Sequence, residues 1–260
     1  MTDRKNIPLV VTRPSDQASE LLSSLSVLDN DVRHHPLIDI RGFRDDGTPE
    51  SSAVKQRILD IDGYHSVIAI SQNAAEAGLA WLDDYWPQHP VGITWYAVGP
   101  TTAEVLRGAG LPVEMPAERF DSEGVLALDG LQAAVIEGEK ILIWRGVGGR
   151  ETLASVLRQR GARVDYAELY ERRQIDYSGA DWDAALEDGP LLLLSSGQAL
   201  DIAMEQVADL PQRVAGILVP STRVADQARA RGFREVLVAA SARNEDTLHS
   251  LRAWLAAADR

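Results

Sequence analysis

The chain has 260 residues, 45% hydrophobic and 25% charged, enough apolar material for two domains with cores of their own. A formal net charge of −13 excludes the basic surface that non-specific nucleic-acid binding needs. The absence of cysteine excludes disulfides, zinc–thiolate sites, iron–sulfur clusters and a thiol nucleophile.

Strands and helices are expected to alternate along the chain. MTDRKN runs directly into the strand PLVV, without the apolar core of a secretory signal, and reads as the start of a cytoplasmic protein. The turn Thr12-Arg13 leads to a helix opening at Ser15 or Asp16, and a further strand is expected over Leu37–Arg41. VIAI then ends at Ser71-Gln72-Asn73, with a helix opening at Ser71 or Asn73. TWYAV ends at Gly99-Pro100-Thr101-Thr102, with a helix opening at Thr101 or Thr102, and another helix opens at Ser122. ILIW ends at Arg145-Gly146-Val147-Gly148-Gly149-Arg150, and ELYERR forms the strand that Tyr170 ends. LLLL ends at Ser195-Ser196-Gly197, and GILV at Ser221-Thr222. VIAI and LLLL lack polar interruptions, as strands covered on both faces require. The longest apolar stretches, around Val67–Ser71 and Leu191–Leu194, fall far short of the roughly 20 residues of a membrane helix.

The sequence also repeats itself. Arg13 aligns with Arg145 and Arg41 with Arg173, at an offset of 132 in both cases. Farther on, Ser71 aligns with Ser195, Gly110 with Gly232 and Glu123 with Glu245, in the same order. The expected architecture is therefore α/β: two flavodoxin-like, doubly wound parallel sheets from an internal duplication, with the working site in the cleft between them.

In such sheets ligands sit at the carboxyl ends of strands, beside helix N-termini. Backbone N–H groups, hydroxyls and arginine at those turns make an anion cradle. Thr12, Arg13, Ser71, Asn73, Gly99, Thr101, Arg145, Gly146, Gly148, Gly149, Arg150, Ser195, Ser196 and Gly197 form such turns. The bland alternative is that each hydroxyl only caps a helix. RGVGGRE also resembles a dinucleotide fingerprint with Glu168 as its acidic residue, but Glu151 stands where a third glycine belongs. Histidines 34, 35, 65, 89 and 249 show no metal-ligand spacing. No G-x-S-x-G elbow and no phosphate-binding Gly-Lys-Ser/Thr are present. Tyr170 stands opposite Ile38 in the repeat and is either a packing residue or a functional one.

VTRP, YAVGPTTAEVLRGAG, DSEGVL, ILIWRGVGGRETLASVLRQRGARV, ELYERR and LLLLSSGQAL, in this order and spacing, resemble the uroporphyrinogen-III synthases over about residues 8–255. The resemblance implies cyclisation of linear hydroxymethylbilane to uroporphyrinogen III, with inversion of ring D through a spirocyclic intermediate, loss of water and no cofactor or metal. It implies a monomer in tetrapyrrole biosynthesis, with hydroxymethylbilane synthase as a transient partner. It also implies discontinuous domains, residues 1–37 with 174–260 and residues 38–173, joined by a hinge of two strands near 37–41 and 169–173. Tyr170 matches the tyrosine held to assist departure of the hydroxyl, and Thr102 matches a functional threonine. Ser122, Glu123, Ser221 and Thr222 join the expected substrate-binding positions. One departure stands out, since Val224 occupies the place of a second threonine. A non-catalytic relative that binds a small polyanion in the same cleft is the alternative reading.

Overall fold

A computed structural model describes residues 6–28 and 30–257. The chain opens with β1 (Leu9–Val11), α1 (Ser15–Leu25) and β2 (Val32–His34), and leaves through β3 (Ile38–Gly42). It continues through α2 (Pro49–Leu59), β4 (Ser66–Ala69), α3 (Gln72–Tyr85), β5 (Thr94–Ala97), α4 (Pro100–Gly108) and β6 (Val113–Glu114). Two short helices follow, α5 (Ser122–Leu126) and α6 (Ala133–Ile136), then β7 (Lys140–Gly146), α7 (Thr152–Gln159) and the long β8 (Arg163–Gln174). The remainder is α8 (Gly179–Ala185), β9 (Leu191–Leu193), α9 (Gly197–Gln206), α10 (Leu210–Arg213), β10 (Gly216–Val219), α11 (Thr222–Ala230), β11 (Val236–Val238) and α12 (Asn244–Ala256).

Two compact units result, residues 1–40 with 173–260, and residues 41–172. The first holds a five-stranded sheet in the order β11-β10-β9-β1-β2, and its strand pairs are parallel. The second contains β4 to β8 in the order β8-β7-β4-β5-β6, also parallel, with β3 neighbouring β8 at the edge. Central strands are apolar because helices cover both faces. Leu9, Val10 and Val11 are fully buried, as are Val67, Ile68 and Ala69. Their side chains feed separate cores on the two faces. In the first unit Val10, Leu192 and Ile217 lie in one cluster, and Leu9, Val11 and Leu191 in the other.

Several helix starts differ from the sequence expectation. Ser71 caps α3, accepting from the Ala74 N–H at 3.2 Å. In α4 the cap is Gly99, with Pro100 first in the helix, so Thr101 and Thr102 lie inside the first turn. A proline at that first position loses no hydrogen bond and pre-sets the helical φ. In α5 the cap is Asp121, whose carboxylate accepts from the Gly124 N–H at 2.9 Å, and Ser122 is already helical. Ser196, not Ser195, caps α9, so the structural counterpart of Ser71 lies one residue beyond the aligned one. Pro14 precedes α1 without a side-chain cap.

Beyond β2 the chain is tied down by a polar node. The Ile175 N–H donates to the Leu37 carbonyl at 3.0 Å, and the Tyr177 hydroxyl to the Pro36 carbonyl at 2.9 Å. Gln206 fills three bonds at once, donating to the Ile175 carbonyl and accepting from the Tyr177 N–H and the Trp182 indole. His35 stacks on Tyr177, with ring centroids 3.7 Å apart, and meets Trp182 at 4.5 Å. Its Nε2 is buried without a hydrogen-bond partner among the described residues.

Burial lowers the pKa of His35; Asp181 opposes this shift and His34 adds to it. A depressed folded-state value means that the unfolded chain binds the proton more readily. Stability is therefore full above the ordinary value of 6.5 and declines as pH falls through the folded-state value. Melting temperatures of wild type and His35→Phe, measured between pH 8 and about 5, should diverge on the acid side, with the variant losing less. Parallel curves would show that His35 is not the titrating group.

Candidate functional site

The carboxyl end of the second unit's sheet is built around Tyr170. β7 and β8 pair in register from Lys140↔Arg163 to Arg145↔Glu168, and the register then shifts so that Gly146 faces Tyr170. A Cβ at Gly146 would lie 2.7 Å from the Tyr170 ring, so glycine is what lets the ring lie across the strand end. The Val147 N–H donates to the Tyr170 carbonyl at 2.7 Å. The Tyr170 and Ser71 hydroxyls are 3.1 Å apart. Ser71 thus does two things, capping α3 and holding the phenol. Tyr170 is 5% exposed. It does not end its strand, since β8 continues to Gln174.

The RGVGGR loop leaves β7 immediately beside this ring. Gly148 and Gly149 have φ of +75° and +97°, left-handed values that L side chains rarely adopt. The Gly148 N–H donates to Glu168 at 3.3 Å. The Gly149 and Arg150 N–H groups carry no hydrogen bond among the described residues. The helix that follows opens only at Thr152, with Glu151 before it, so the loop is longer than a helix-start turn.

The two loop arginines have different fates. Arg145 was expected to bind substrate, but it is 2% exposed and its charge is already taken. Nη1 donates to Glu151 at 2.9 Å, Nε to the Gly146 carbonyl at 3.2 Å, and the guanidinium stacks 4.5 Å from the Tyr166 ring centroid. The Tyr166 hydroxyl donates to the other oxygen of Glu151. Those bonds, Tyr166 first and Arg145 second, hold the Glu151 carboxyl below its ordinary value. Glu151, the residue that spoils the dinucleotide fingerprint, is therefore a structural counter-ion. Arg150 is exposed and carries no ion pair among the described residues.

At the start of α4, Gly99 is buried and Thr101 exposed. Thr102 is 4% exposed, and its hydroxyl has no hydrogen-bond partner among the described residues. Nearby in sequence, Glu123 pairs with Arg119 at 3.2 Å and Ser122 is half-buried. Asn73 lies half-buried in the first turn of α3.

In the first unit, several expected ligand groups are occupied internally. The Thr12 hydroxyl is buried and donates to the Leu193 carbonyl at 2.8 Å. Arg13 donates to the Asn244 side chain and the Ala242 carbonyl, while burial lowers its pKa. With Ser195, Pro220, Ala242 and Thr247 it lines a cavity of about 10 Å³, which has room for one water. Ser196 and Ser221 cap α9 and α11, and Gly197 and Thr222 are the first residues of those helices. Val224, 1% exposed, fills the third helical position that Thr102 holds in α4. An apolar side chain there is packed without a hydroxyl to satisfy.

No group of three His, Asp or Glu side chains among the described residues is arranged to hold a metal ion. No described helix is long and apolar enough to cross a membrane.

The family model for uroporphyrinogen-III synthase HemD matches residues 19–249. The chain belongs to the uroporphyrinogen-III synthase family. It is thereby an enzyme of the hydro-lyase class. The uroporphyrinogen-III synthase of Escherichia coli (strain K12) is 31% identical over 256 residues, covering 94% of this chain and 99% of the relative. That of Salmonella typhimurium is 31% identical over 253 residues, with the same coverage. Among solved structures, a mutant synthase from Thermus thermophilus aligns with a TM-score of 0.61 at 14% identity, covering 96% of this chain and 99% of that one. The synthetase from Helicobacter pylori 26695 aligns at 0.60 and 13%, covering 95% and 99%. At such identities the structural likeness shows the fold, a mixed α/β architecture with parallel sheets.

Two features of the site escaped the sequence: the bond between Ser71 and Tyr170, and the position of Phe120. Phe120 is 48% exposed, and its ring lies over Gly99.

The arginine geometry makes a direct prediction. Arg145→Ala should lower the melting temperature by several degrees, each kcal/mol lost costing roughly 2–4 °C in a chain of this size. Arg150→Ala should leave it unchanged. Equal melting temperatures for the two variants would show that the Glu151 and Tyr166 contacts do not hold the loop.

Proposed function

We propose that the chain converts hydroxymethylbilane to uroporphyrinogen III, inverting ring D and releasing water, with Tyr170 and Thr102 in the chemical step. Full-length identity to proteins named as synthases supports this reading over a non-catalytic polyanion binder. The observation that carries the site assignment is the seating of Tyr170: a phenol fixed by Gly146 beneath it and Ser71 at its hydroxyl, at the carboxyl end of a parallel sheet.

The seating suits proton delivery. Ser71 Oγ already accepts from the Ala74 N–H, so its own proton can point at the Tyr170 oxygen. The phenol proton is then free for the departing hydroxyl, which leaves as water. The methylene cation left behind bonds to the substituted α-carbon of ring D, giving the spirocyclic intermediate. The bond from that carbon to the bridge of ring C then breaks, the bridge cation bonds to the free α-carbon of ring D, and the proton lost from that carbon balances the one the phenol gave up. A linear tetrapyrrole can cyclise unaided, so most of the enzyme's task is to fix which end meets which. The substrate's acetate and propionate groups suit donors spread over many turns: the open N–H groups of Gly149 and Arg150, the Arg150 side chain, and the helix starts at Ser71, Gly99, Asp121, Ser196 and Ser221. No cofactor takes part.

The finer organisation belongs to the same reading. Leu9 corresponds to Ile141 under the offset of 132, and Leu191 to Ser66 under the spacing of 125 that separates the caps Ser71 and Ser196, so Leu9↔Leu191 in one sheet matches Ile141↔Ser66 in the other, which supports an internal duplication. Strands near 37–41 and 169–173 serve as the hinge between domains of residues 1–37 with 174–260 and 38–173. The enzyme works as a cytoplasmic monomer that meets hydroxymethylbilane synthase transiently.

With enzymatically generated hydroxymethylbilane, purified protein should yield the type III isomer, and a chelator should not change the yield. Type I product alone, or activity restored only by a metal, would sink the proposal. Tyr170→Phe should lower turnover by roughly 10²-fold, the low end for positioned acid assistance, with an unchanged melting temperature. Thr102→Val should cost less, since that hydroxyl is one donor among several. If Tyr170→Phe keeps wild-type turnover, the phenol only packs. For the hinge, small-angle scattering should change when a product-like porphyrinogen is added; superimposable profiles would count against it.

A further inference from the structure

Phe120 stands out among the aromatic residues of the chain because it is exposed on a segment held rigid from both sides. Its neighbours bond to each other across it, the Arg119 guanidinium donating to the Asp121 carboxylate at 2.7 Å. Arg119 also pairs with Glu123 at 3.2 Å, and Asp121 caps α5 through the Gly124 N–H. Gly124 admits the loop backbone so closely that a Cβ there would lie 1.7 Å from the Arg119 carbonyl oxygen. The loop therefore has little freedom to fold Phe120 inward, away from water.

The ring has a defined seat. Phe120 Cβ lies 3.3 Å from where a Gly99 Cβ would stand, and Cγ and Cδ1 lie within 3.9 Å. Gly99 is the cap of α4, so the Phe120 ring borders the first turn of that helix. In the same turn Thr102 is 4% exposed, and its hydroxyl, which is not fully enclosed, is without a hydrogen-bond partner among the described residues. Unpaired donors and a flat apolar surface thus stand side by side, which complements a ligand that carries a carboxylate on a flat ring. Each pyrrole of the substrate proposed above has that composition.

We propose that Phe120 is a substrate-positioning residue that stacks on one pyrrole ring while the start of α4 takes a carboxylate of the same ring. This rests on the synthase reading and deepens it. Stacking is directional, favouring offset or edge-on contact over arbitrary approach. A platform at one ring fixes how the chain folds back on itself, and it therefore acts on which isomer forms more than on ionisation of the hydroxyl.

The test compares Phe120→Ala, Phe120→Leu and Phe120→Trp with wild type for KM, kcat, the ratio of type III to type I product, and melting temperature. The expected result for Phe120→Ala is a KM about tenfold higher, in line with one lost stacking contact, more type I product, and an unchanged melting temperature. Phe120→Leu should resemble the alanine variant and Phe120→Trp the wild type. Wild-type KM and isomer ratio in Phe120→Ala or Phe120→Leu would overturn the proposal, as would losses that merely follow the melting temperature. Fluorescence titration of the same four proteins with uroporphyrin separates the two readings. If wild type makes no type III isomer but Phe120→Ala still binds uroporphyrin more weakly, the reaction assignment fails and the platform stands. Equal binding by both overturns the platform.

Discussion

The contact between the Tyr170 ring and the bare backbone of Gly146 governs the geometry around it. At the bulge, β8 advances one residue relative to β7, so that Gly146 faces Tyr170 rather than Leu169. Leu169 and Tyr170 are both buried. The ring then blocks any side chain at position 146, and its hydroxyl reaches the cap of the next helix. One irregularity in a parallel ladder thus couples a strand end, a helix start and a glycine loop.

The same arrangement explains why loop arginines aligned with one another have different surroundings. Arg13 is satisfied by neutral oxygens from α12 and the segment before it, and burial costs it some basicity. Arg145 finds a carboxylate six residues on and an aromatic face below. Taking two charges out of water is costly unless their geometry is good and their remaining donors are filled. Here Glu151 stays largely in solvent while Arg145 is buried, so only one partner bears most of that cost. The arrangement spends Arg145 on the loop and leaves Arg150 exposed.

The alternation of strand and helix was legible because strands covered on both faces must be apolar throughout, as LVV, VIAI and LLLL are. The parallel sheets follow from that alternation. What could not be read was anything set by distant partners. Gln206 gives no local signal, yet it joins Ile175, Tyr177 and Trp182. Glu151 read as a defect in a nucleotide motif because its partners, Arg145 and Tyr166, become adjacent only when β7 and β8 pair. The cap of α5 lies one position before Ser122 and that of α4 at Gly99 rather than Thr101 or Thr102, since Ser, Thr, Asp and Gly all serve that role and only backbone geometry separates them. Nothing in the sequence marks Phe120, whose exposure and place beside Gly99 emerge only from the fold.

The discontinuity of the first unit has a consequence for synthesis on the ribosome. An interior strand of its sheet, β1, is made first, yet Thr12 closes its hydrogen bond with Leu193, 181 positions later. At about 5–20 residues per second, that partner emerges roughly 10–35 s after β1 does. During this interval the uninterrupted stretch 41–172 is complete and can collapse on its own core, while Leu9, Val10 and Val11 remain without the neighbours that bury them. β2 follows soon after and can cover one edge of β1, but an apolar strand whose other edge stays open is a template for pairing with other chains. Nascent copies of this protein are therefore most vulnerable to aggregation at their beginning, and truncation anywhere before β9 leaves that hazard permanent.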